Sequence, residues 1–584
     1  MRGGGDHLEG RGFPLRPTLR LCQPRGALDP QRTPEDVGKG ELHDGGEQVI
    51  LTGHAGDGKT TIALDLCKRF RGLPPDQPLN AALAPREDFA SPAVSIVKDL
   101  SEWGQREKQA LLEEVLECRR RFLLVSNTGT LLDIFRKHAE AAGGSPVRTE
   151  SELLEAISDA SLAQGFSYAG VRFQVINLAL LDNLGLAWQI FARMLAPERW
   201  TACGGQACAS QCPIRRNVEL IQHHQDVVCT RLFTAYRRVY EYGTRLTLPQ
   251  LTAHLAYMIT SGLHYRDILE LGERPDRPLC SEFMFFNRFF GDTDRAEDGA
   301  AAHLPAVREV RRQGFGSRLC SSWERRLWWK THGEDFRLGV SECDSEFDRL
   351  RSCGAGERND ASGLTPDQAR EQVRRMLFFL YEFKPGDTSF LAHYLGSPSL
   401  LTWLQWQHPG SRLTVDERNV YVQRVYHVLQ EHFTGVRLPE GLGAADRRLY
   451  ITLSRRRREI RQSAQVVLAE IDWSTEMDLD LVRHPDVFGG ERTDLELMGC
   501  RRADGAVLRL ALPFLDYVIM RHFGEMGAVL QAAYVERLER FKAESLERTR
   551  EDRRDVVLVR LRMDNTFRRQ QYSVRDRTLE VSDV

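Results

Sequence analysis

An α/β core built on a parallel sheet, followed by helices and then by a second mixed α+β unit, is the fold class this chain predicts. Three observations carry that expectation. In Gln48–Phe70, QVILTGHAGDGKTTIALDLCKRF, a β-branched apolar run leads into a glycine loop and then into apolar residues at helical spacing. Further apolar runs at 93–97, 121–128 and 172–181 read as buried strands, the last two leading straight into helical periodicity. Much later, Leu495–Met498 and Ala506–Leu512 flank Asp504-Gly505, a hairpin signal that belongs to a separate unit.

The glycine loop is the sharpest motif. Gly53-x4-Gly58-Lys59-Thr60 has the Walker A spacing, in strand, loop and helix context. Gly53, Gly56 and Gly58 let backbone N–H groups close around a triphosphate, and Lys59 neutralises the β and γ oxygens. Thr60 is placed to hold Mg²⁺, and the helix N-terminus adds its dipole. Asp57 and Thr61 complete the expected nucleotide-binding set. The expectation is a P-loop NTPase core, of AAA+ or STAND type, that takes ATP or GTP with magnesium.

Length and composition set the frame. A chain of 584 residues exceeds a single core, so several domains are expected. With 42% hydrophobic and 28% charged residues it has the composition of an ordinary globular protein. The 80 Lys plus Arg against 82 Asp plus Glu leave a net charge of −2, which argues neither for nor against a nucleic-acid partner. No apolar run reaches the roughly 18 residues a bilayer span needs, and Arg, Gly and Asp stand where a signal peptide has its apolar core. The expected location is cytoplasmic, without membrane contact. The 12 Cys then read as reduced thiols.

In chain order, residues 1–46 read as a flexible leader rich in Gly, Pro and Arg, and residues 47–200 as the NTPase core. Gly72–Pro92 looks like a loop. Ala93–Val97 reads as a buried strand ending in Lys98-Asp99-Leu-Ser-Glu102, and a carboxylate at that edge is where such an enzyme holds its metal-bound water. Asp99 is the candidate, Glu102 could polarise the attacking water, and Asp182 is the fallback. The alternative is an ordinary strand end from which the next helix starts. Arg121–Thr128 forms the following strand, with a helix from Gly129 to about Ala142. Asn127 at its tip stands where an AAA+-type ATPase senses the γ-phosphate, although Asn before Thr-Gly is also an ordinary helix cap. Arg172–Leu181 and Asp182–Leu195 supply a further strand and helix.

Residues 201–345 carry a cysteine cluster and a helical lid region. Cys203, Cys208 and Cys212-Pro213 put three thiols within ten residues, with Cys229, His223 or His224 as a fourth ligand. Thiolate and imidazole suit structural Zn²⁺, and Cys followed by Pro also occurs at iron–sulfur sites. Unliganded thiols are the plain alternative. Arg231–Tyr242 and Leu246–Gly262 are amphipathic helices, and Arg245 between them is either a second sensor or a solvated arginine. Ser281–Asp292 holds five Phe, which suits a buried helix. Arg308, Arg311, Arg312, Arg318, Arg325, Arg326 and Lys330 interleave with Phe315, Trp323, Trp328 and Trp329, as in a nucleic-acid contact or an interface helix. Residues 346–448 read as helical, with a loop at Gly354–Gly363 and a capped helix at Thr365–Glu382. Residues 449–584 form the α+β unit: strands Leu449–Leu453 and Gln465–Ile471 joined through Arg455–Arg458, the hairpin, one long helix Leu512–Leu546 and a last strand Asp555–Met563. No nuclease motif, helicase series or repeat is present.

The loop Gly53–Thr60, the Lys98–Glu102 segment, Val175-Ile-Asn-Leu178, the Cys203/Cys208/Cys212-Pro cluster and Leu512-Pro-Phe-Leu-Asp-Tyr517 together resemble DptF, also called DndF. This is the ATPase family of bacterial DNA phosphorothioation-dependent restriction systems. The resemblance implies an antiviral-defence ATPase that works with the other subunits of a restriction complex, meets DNA through that complex and leaves cleavage to a partner. It assigns Walker roles to Gly53, Gly58, Lys59 and Thr60, while the long leader departs from the family. The expected function is therefore an ATP-hydrolysing subunit that drives or gates DNA recognition or cleavage. The alternative is a STAND-type nucleotide-gated signalling or scaffold protein with slow hydrolysis. A small-molecule kinase lacks a substrate signature.

Overall fold

The computed structural model describes residues 48–583 apart from 75–76, 78, 80–81, 159–164, 206–211, 273–282, 292–299, 319, 330–335, 358–362, 385–388, 436–447, 454–463, 486–490, 500–505, 526–528, 549–554, 562–566 and 576–577. The leader, Cys208, Lys330, much of the Gly354–Gly363 loop, Arg455–Arg458 and the Asp504-Gly505 turn lie outside the described residues.

The first unit is a six-stranded, mostly parallel sheet. Its strands are β1 (Gln48–Thr52), β2 (Arg86–Phe89), β3 (Val94–Val97), β4 (Arg121–Val125), β5 (Phe166–Tyr168) and β6 (Val171–Asn177), in the order β2-β3-β4-β1-β6-β5. β3, β4, β1 and β6 run parallel, while β2 and β5 pair antiparallel at the two edges. Strands buried on both faces have no polar side, which is why β1, β3 and β4 read as continuous apolar runs.

Two cores enclose the sheet. Val49, Leu51, Leu123 and Val125 pack with Ala63 and Cys67 of α1 (Lys59–Phe70). Ile50, Phe122 and Leu124 pack on the other face with α2 (Gln105–Leu116), α3 (Thr128–Ala141) and α4 (Pro146–Ser158). Gly72–Pro92 is not all loop. β2 lies within it, and its sequence REDF is half-exposed at a sheet edge and so lacks an apolar signal.

From α5 (Leu184–Met194) onward the chain is mainly helical, with α6 (Pro213–His223), α7 (Gln225–Glu241) and α8 (Leu248–Thr260). One continuous apolar cluster runs from Leu184 through Phe285, Phe289, Phe379 and Leu429 to Leu497 and Phe541. Phe285, Phe286, Phe289 and Phe290 of the five-Phe segment are inside it, as its composition suggests. The helix Pro366–Leu380 is capped by Thr365, whose Oγ1 accepts from Gln368 N at 3.3 Å.

Two antiparallel sheets follow: β11-β10-β9, from β9 (Met477–Pro485), β10 (Glu491–Gly499) and β11 (Val507–Leu510), and β14-β13-β12-β8-β7. The latter comprises β7 (Arg448–Thr452), β8 (Ala464–Asp472), β12 (Val556–Leu561), β13 (Phe567–Arg575) and β14 (Thr578–Asp583). Two expectations are corrected here. Leu512–Leu546 is not one helix but two, Leu512–His522 and Ala532–Arg548, because Gly524 at φ +84° closes the first: Gly524 N and Glu525 N turn back to Arg521 O and Met520 O. Asp555–Met563 is not the last strand either, since the polar β13 and β14 extend its sheet.

Candidate functional site

The glycine loop leaves the central part of the sheet. β1 is flanked by β4 and β6, and β4 separates it from β3. Because these four strands are parallel, the segments after them emerge along one edge, the usual ligand edge of such sheets. Val97 is in register with Leu124, and Leu124 with Ile50. Ser126 N donates to Leu51 O at 3.1 Å just beyond these strands, and Asp99, two residues after Val97, lies close enough to act on the charge of Lys59. The short separation between the loop and Asp99 is thereby accounted for: only α1 and edge strand β2 intervene in sequence, and β4 enters the sheet later.

The loop is open-backboned. Gly53, Gly56 and Gly58 have φ of +148°, +86° and +92°, values an L side chain rarely adopts. Gly58 is also the N-cap of α1 and gives no side-chain cap, so the first N–H groups of that helix are left to a ligand. Lys59 folds back over the loop, its Nζ donating to Gly53 O and His54 O at 2.8 Å each. Burial pulls its ammonium below the ordinary lysine value, and the negative charges of Asp57 and Asp99 oppose that pull. Thr60 and Thr61 are exposed in the first turn of α1.

Asp99 has an unusual backbone, φ +35° and ψ +82°, and caps a 3₁₀ turn over Leu100–Glu102. Its Oδ1 accepts from Ser101 N at 3.1 Å and from Ser101 Oγ at 2.5 Å. Glu102 is exposed at the end of that turn. Asn127 is the N-cap of α3 but makes no side-chain capping bond, and the adjoining Thr128 Oγ1 lies 3.2 Å from Thr52 Oγ1. Asp182, the fallback, is committed elsewhere: Oδ1 accepts from Leu184 N at 2.9 Å and Oδ2 pairs with Arg237.

Arg245 is not solvated. Its Nη1 pairs with Asp57 Oδ1 at 2.9 Å, its Nη2 donates to Leu178 O at 2.8 Å and its Nε to Leu181 O at 3.1 Å. With these donors engaged, Arg245 is tied to the loop and to the turn after β6. Pro249, in the first turn of α8, packs on Gly56.

The cysteine cluster is only partly visible. Cys203 and Cys212 are half-buried and both act electrostatically on Arg215. Cys229 is packed in the helical core, and burial pushes its thiol up to about 12, which favours the protonated form over a metal-binding thiolate. His224 borders Gly339, and its ring lies 4.8 Å from that of His223. Among the described residues no group of three or more His, Cys, Asp or Glu is placed to hold a metal ion. Cys208, the middle thiol of the cluster, lies outside the described residues.

The cation-and-aromatic stretch is split between core and surface: Arg308, Arg311, Arg312, Arg318, Arg325 and Trp329 are exposed, while Trp323 and Leu327 are buried. Trp323 is 1% exposed with the Arg326 guanidinium 3.8 Å over its ring. Arg311 donates to Phe290 O at 3.0 Å, and Arg312 pairs with Glu309 at 2.9 Å. No helix among the described residues is long and apolar enough to cross a membrane.

Comparison with known proteins adds no relative: no family model, no curated protein and no solved structure matches this chain.

Proposed function

We propose that the chain is a P-loop NTPase that binds ATP or GTP with magnesium at Gly53–Thr61 and hydrolyses it. The observation that carries this reading is the uncapped start of α1 behind three glycines at positive φ, with Lys59 folded across the loop. An uncapped N-terminus with a buried ammonium is an anion site, and its place at the ligand edge of a parallel sheet is where nucleotides bind. Lys59 serves the β and γ oxygens, Asn127 is free of a capping bond to meet the γ-phosphate, Asp99 holds the metal-bound water and Glu102 behind it polarises the attacking water. Magnesium, when bound, supplies charge neutralisation next to Thr60 and Asp99.

The resemblance to the DptF family supports a place as the ATPase subunit of a DNA-restriction complex, acting on DNA through partner subunits. The test is ATP turnover by the full-length protein with and without duplex DNA and those subunits. Turnover raised by both, and lost in Asp99→Asn while Asp182→Asn retains it, is the expected result. Turnover indifferent to DNA and partners would overturn the restriction role.

A second reading, a nucleotide-gated switch that hydrolyses slowly, is favoured by the contact of Arg245 and Pro249 with the loop. Nucleotide that survives purification with negligible turnover would select it.

A further inference from the structure

The Asp57 side chain is fully shut off from solvent although it belongs to the loop. One of its oxygens accepts from His54 N at 2.7 Å and the other takes Arg245 Nη1 at 2.9 Å. Arg245 also bonds the carbonyls of Leu178 and Leu181, in the turn that follows β6. That turn backs the loop directly: a Cβ at Gly53 would lie 3.1 Å from Leu178 Cβ and 3.3 Å from Ala179 N. On another side Gly56 meets the start of α8, where a Cβ would come within 2.7 Å of Pro249 Cγ. Residues 245 and 249, which join α7 to α8, thus grip the loop at two points.

The electrostatics give this grip a consequence. A carboxylate without a partner in this loop would repel the phosphates and compete with them for the Lys59 ammonium. Paired with Arg245, it is neutralised and instead anchors the His54 amide. We infer that Arg245 is a positioning residue for the nucleotide site, acting through Asp57: it cancels that charge and fixes the loop, so the α7–α8 junction sets nucleotide affinity. The inference rests on the nucleotide-binding reading above and adds the residue through which the helical unit controls the site. Since coupling between two sites is reciprocal, bound nucleotide in turn fixes the α7–α8 junction.

The test is calorimetric titration of the full-length protein with magnesium-ATP. Arg245→Gln is expected to weaken binding about tenfold, a coupling of ordinary size. Adding Asp57→Asn to it is expected to restore affinity to within about threefold of wild type, because the charge that Arg245 opposed is gone. If Arg245→Gln binds as wild type does, or if the double variant stays as weak as the single one, the inference is overturned. The second outcome would mean that Arg245 touches phosphate directly. Should Arg245→Gln fail to fold, Arg245→Lys keeps the cation and is expected within about threefold of wild type, and a tenfold loss there would equally overturn the proposal. A wild-type protein that takes up no nucleotide defeats the loop reading itself. Wild-type binding with an unaffected Arg245→Gln defeats only the role of Arg245.

Discussion

Arg492 of β10 reaches Glu241 at the end of α7, Nη2 to Oε2 at 2.8 Å, and through it the sheet β11-β10-β9 is tied to the glycine-loop edge of the first sheet. Glu241 also faces Arg237 at 3.6 Å, and Arg237 pairs with Asp182, five residues beyond the end of β6. On the far side Arg492 pairs with the buried Asp494 at 3.1 Å, and Arg509 extends the chain to Glu496. The carboxylates of Glu241, Asp494 and Glu496 are buried, and a buried carboxylate is costly to strip of its counter-charge.

Glu241→Ala should therefore destabilise the protein by about 1.5–3 kcal/mol, since it removes the carboxylate that Arg237 and Arg492 share but leaves them Asp182 and Asp494. Adding Arg492→Met should recover part of the loss. Urea denaturation of the full-length protein reads both. A loss under about 1 kcal/mol would show that water reaches the pair and that the link is weak.

The loop glycines separate backbone strain from crowding. Gly58 has φ +92° and open space where a Cβ would sit, so Gly58→Ala should cost only the left-handed conformation, about 1–2 kcal/mol. Gly56 has φ +86° and Pro249 Cγ at 2.7 Å from that position, so Gly56→Ala should cost more. Pro249→Ala should remove the difference between the two variants. Equal melting temperatures for Gly56→Ala and Gly58→Ala would speak against the contact with α8.

His254 of α8 predicts an acid limb. It is wholly buried, its Nδ1 2.8 Å from Tyr236 Oη and its Nε2 2.9 Å from Phe289 O. A carbonyl only accepts, so Nε2 carries the proton and Nδ1 accepts from the tyrosine hydroxyl. Burial brings this imidazole down to about 4 from the ordinary 6.5. Above pH 6.5 both folded and unfolded chains hold a neutral ring and the full contribution is present. Between that value and about 4 only the unfolded chain takes the proton, so stability declines by about 3 kcal/mol across the window. His254→Gln, which does not titrate, should flatten this limb in denaturation curves taken from pH 7 to 4. An unchanged slope would place its cause elsewhere.

The parts of the fold that were legible in the sequence are those in which one element decides its own pattern. β1, β3 and β4 are buried on both faces, and their apolar runs announce them. Thr365 and Pro366 mark a helix start without help from the rest of the chain. What was missed depends on neighbours. β2, β13 and β14 owe their strand form to pairing at exposed positions, where the residues are polar. Gly524 splits a helix whose apolar periodicity runs on past the break. At the site, Gly53–Thr60 is local and readable, whereas the Arg245–Asp57 pair joins residues 188 positions apart. The committed state of Asp182 likewise depends on Arg237, which only the packing of α7 brings near.

The measurement that bears most directly on the whole account is nucleotide uptake by the intact protein. Calorimetry with ATP or GTP and magnesium should show saturable binding at one site per chain, and Lys59→Ala should abolish it while leaving the thermal transition in place. Wild-type protein that binds neither nucleotide, or Lys59→Ala protein that binds as tightly as wild type, would contradict the account.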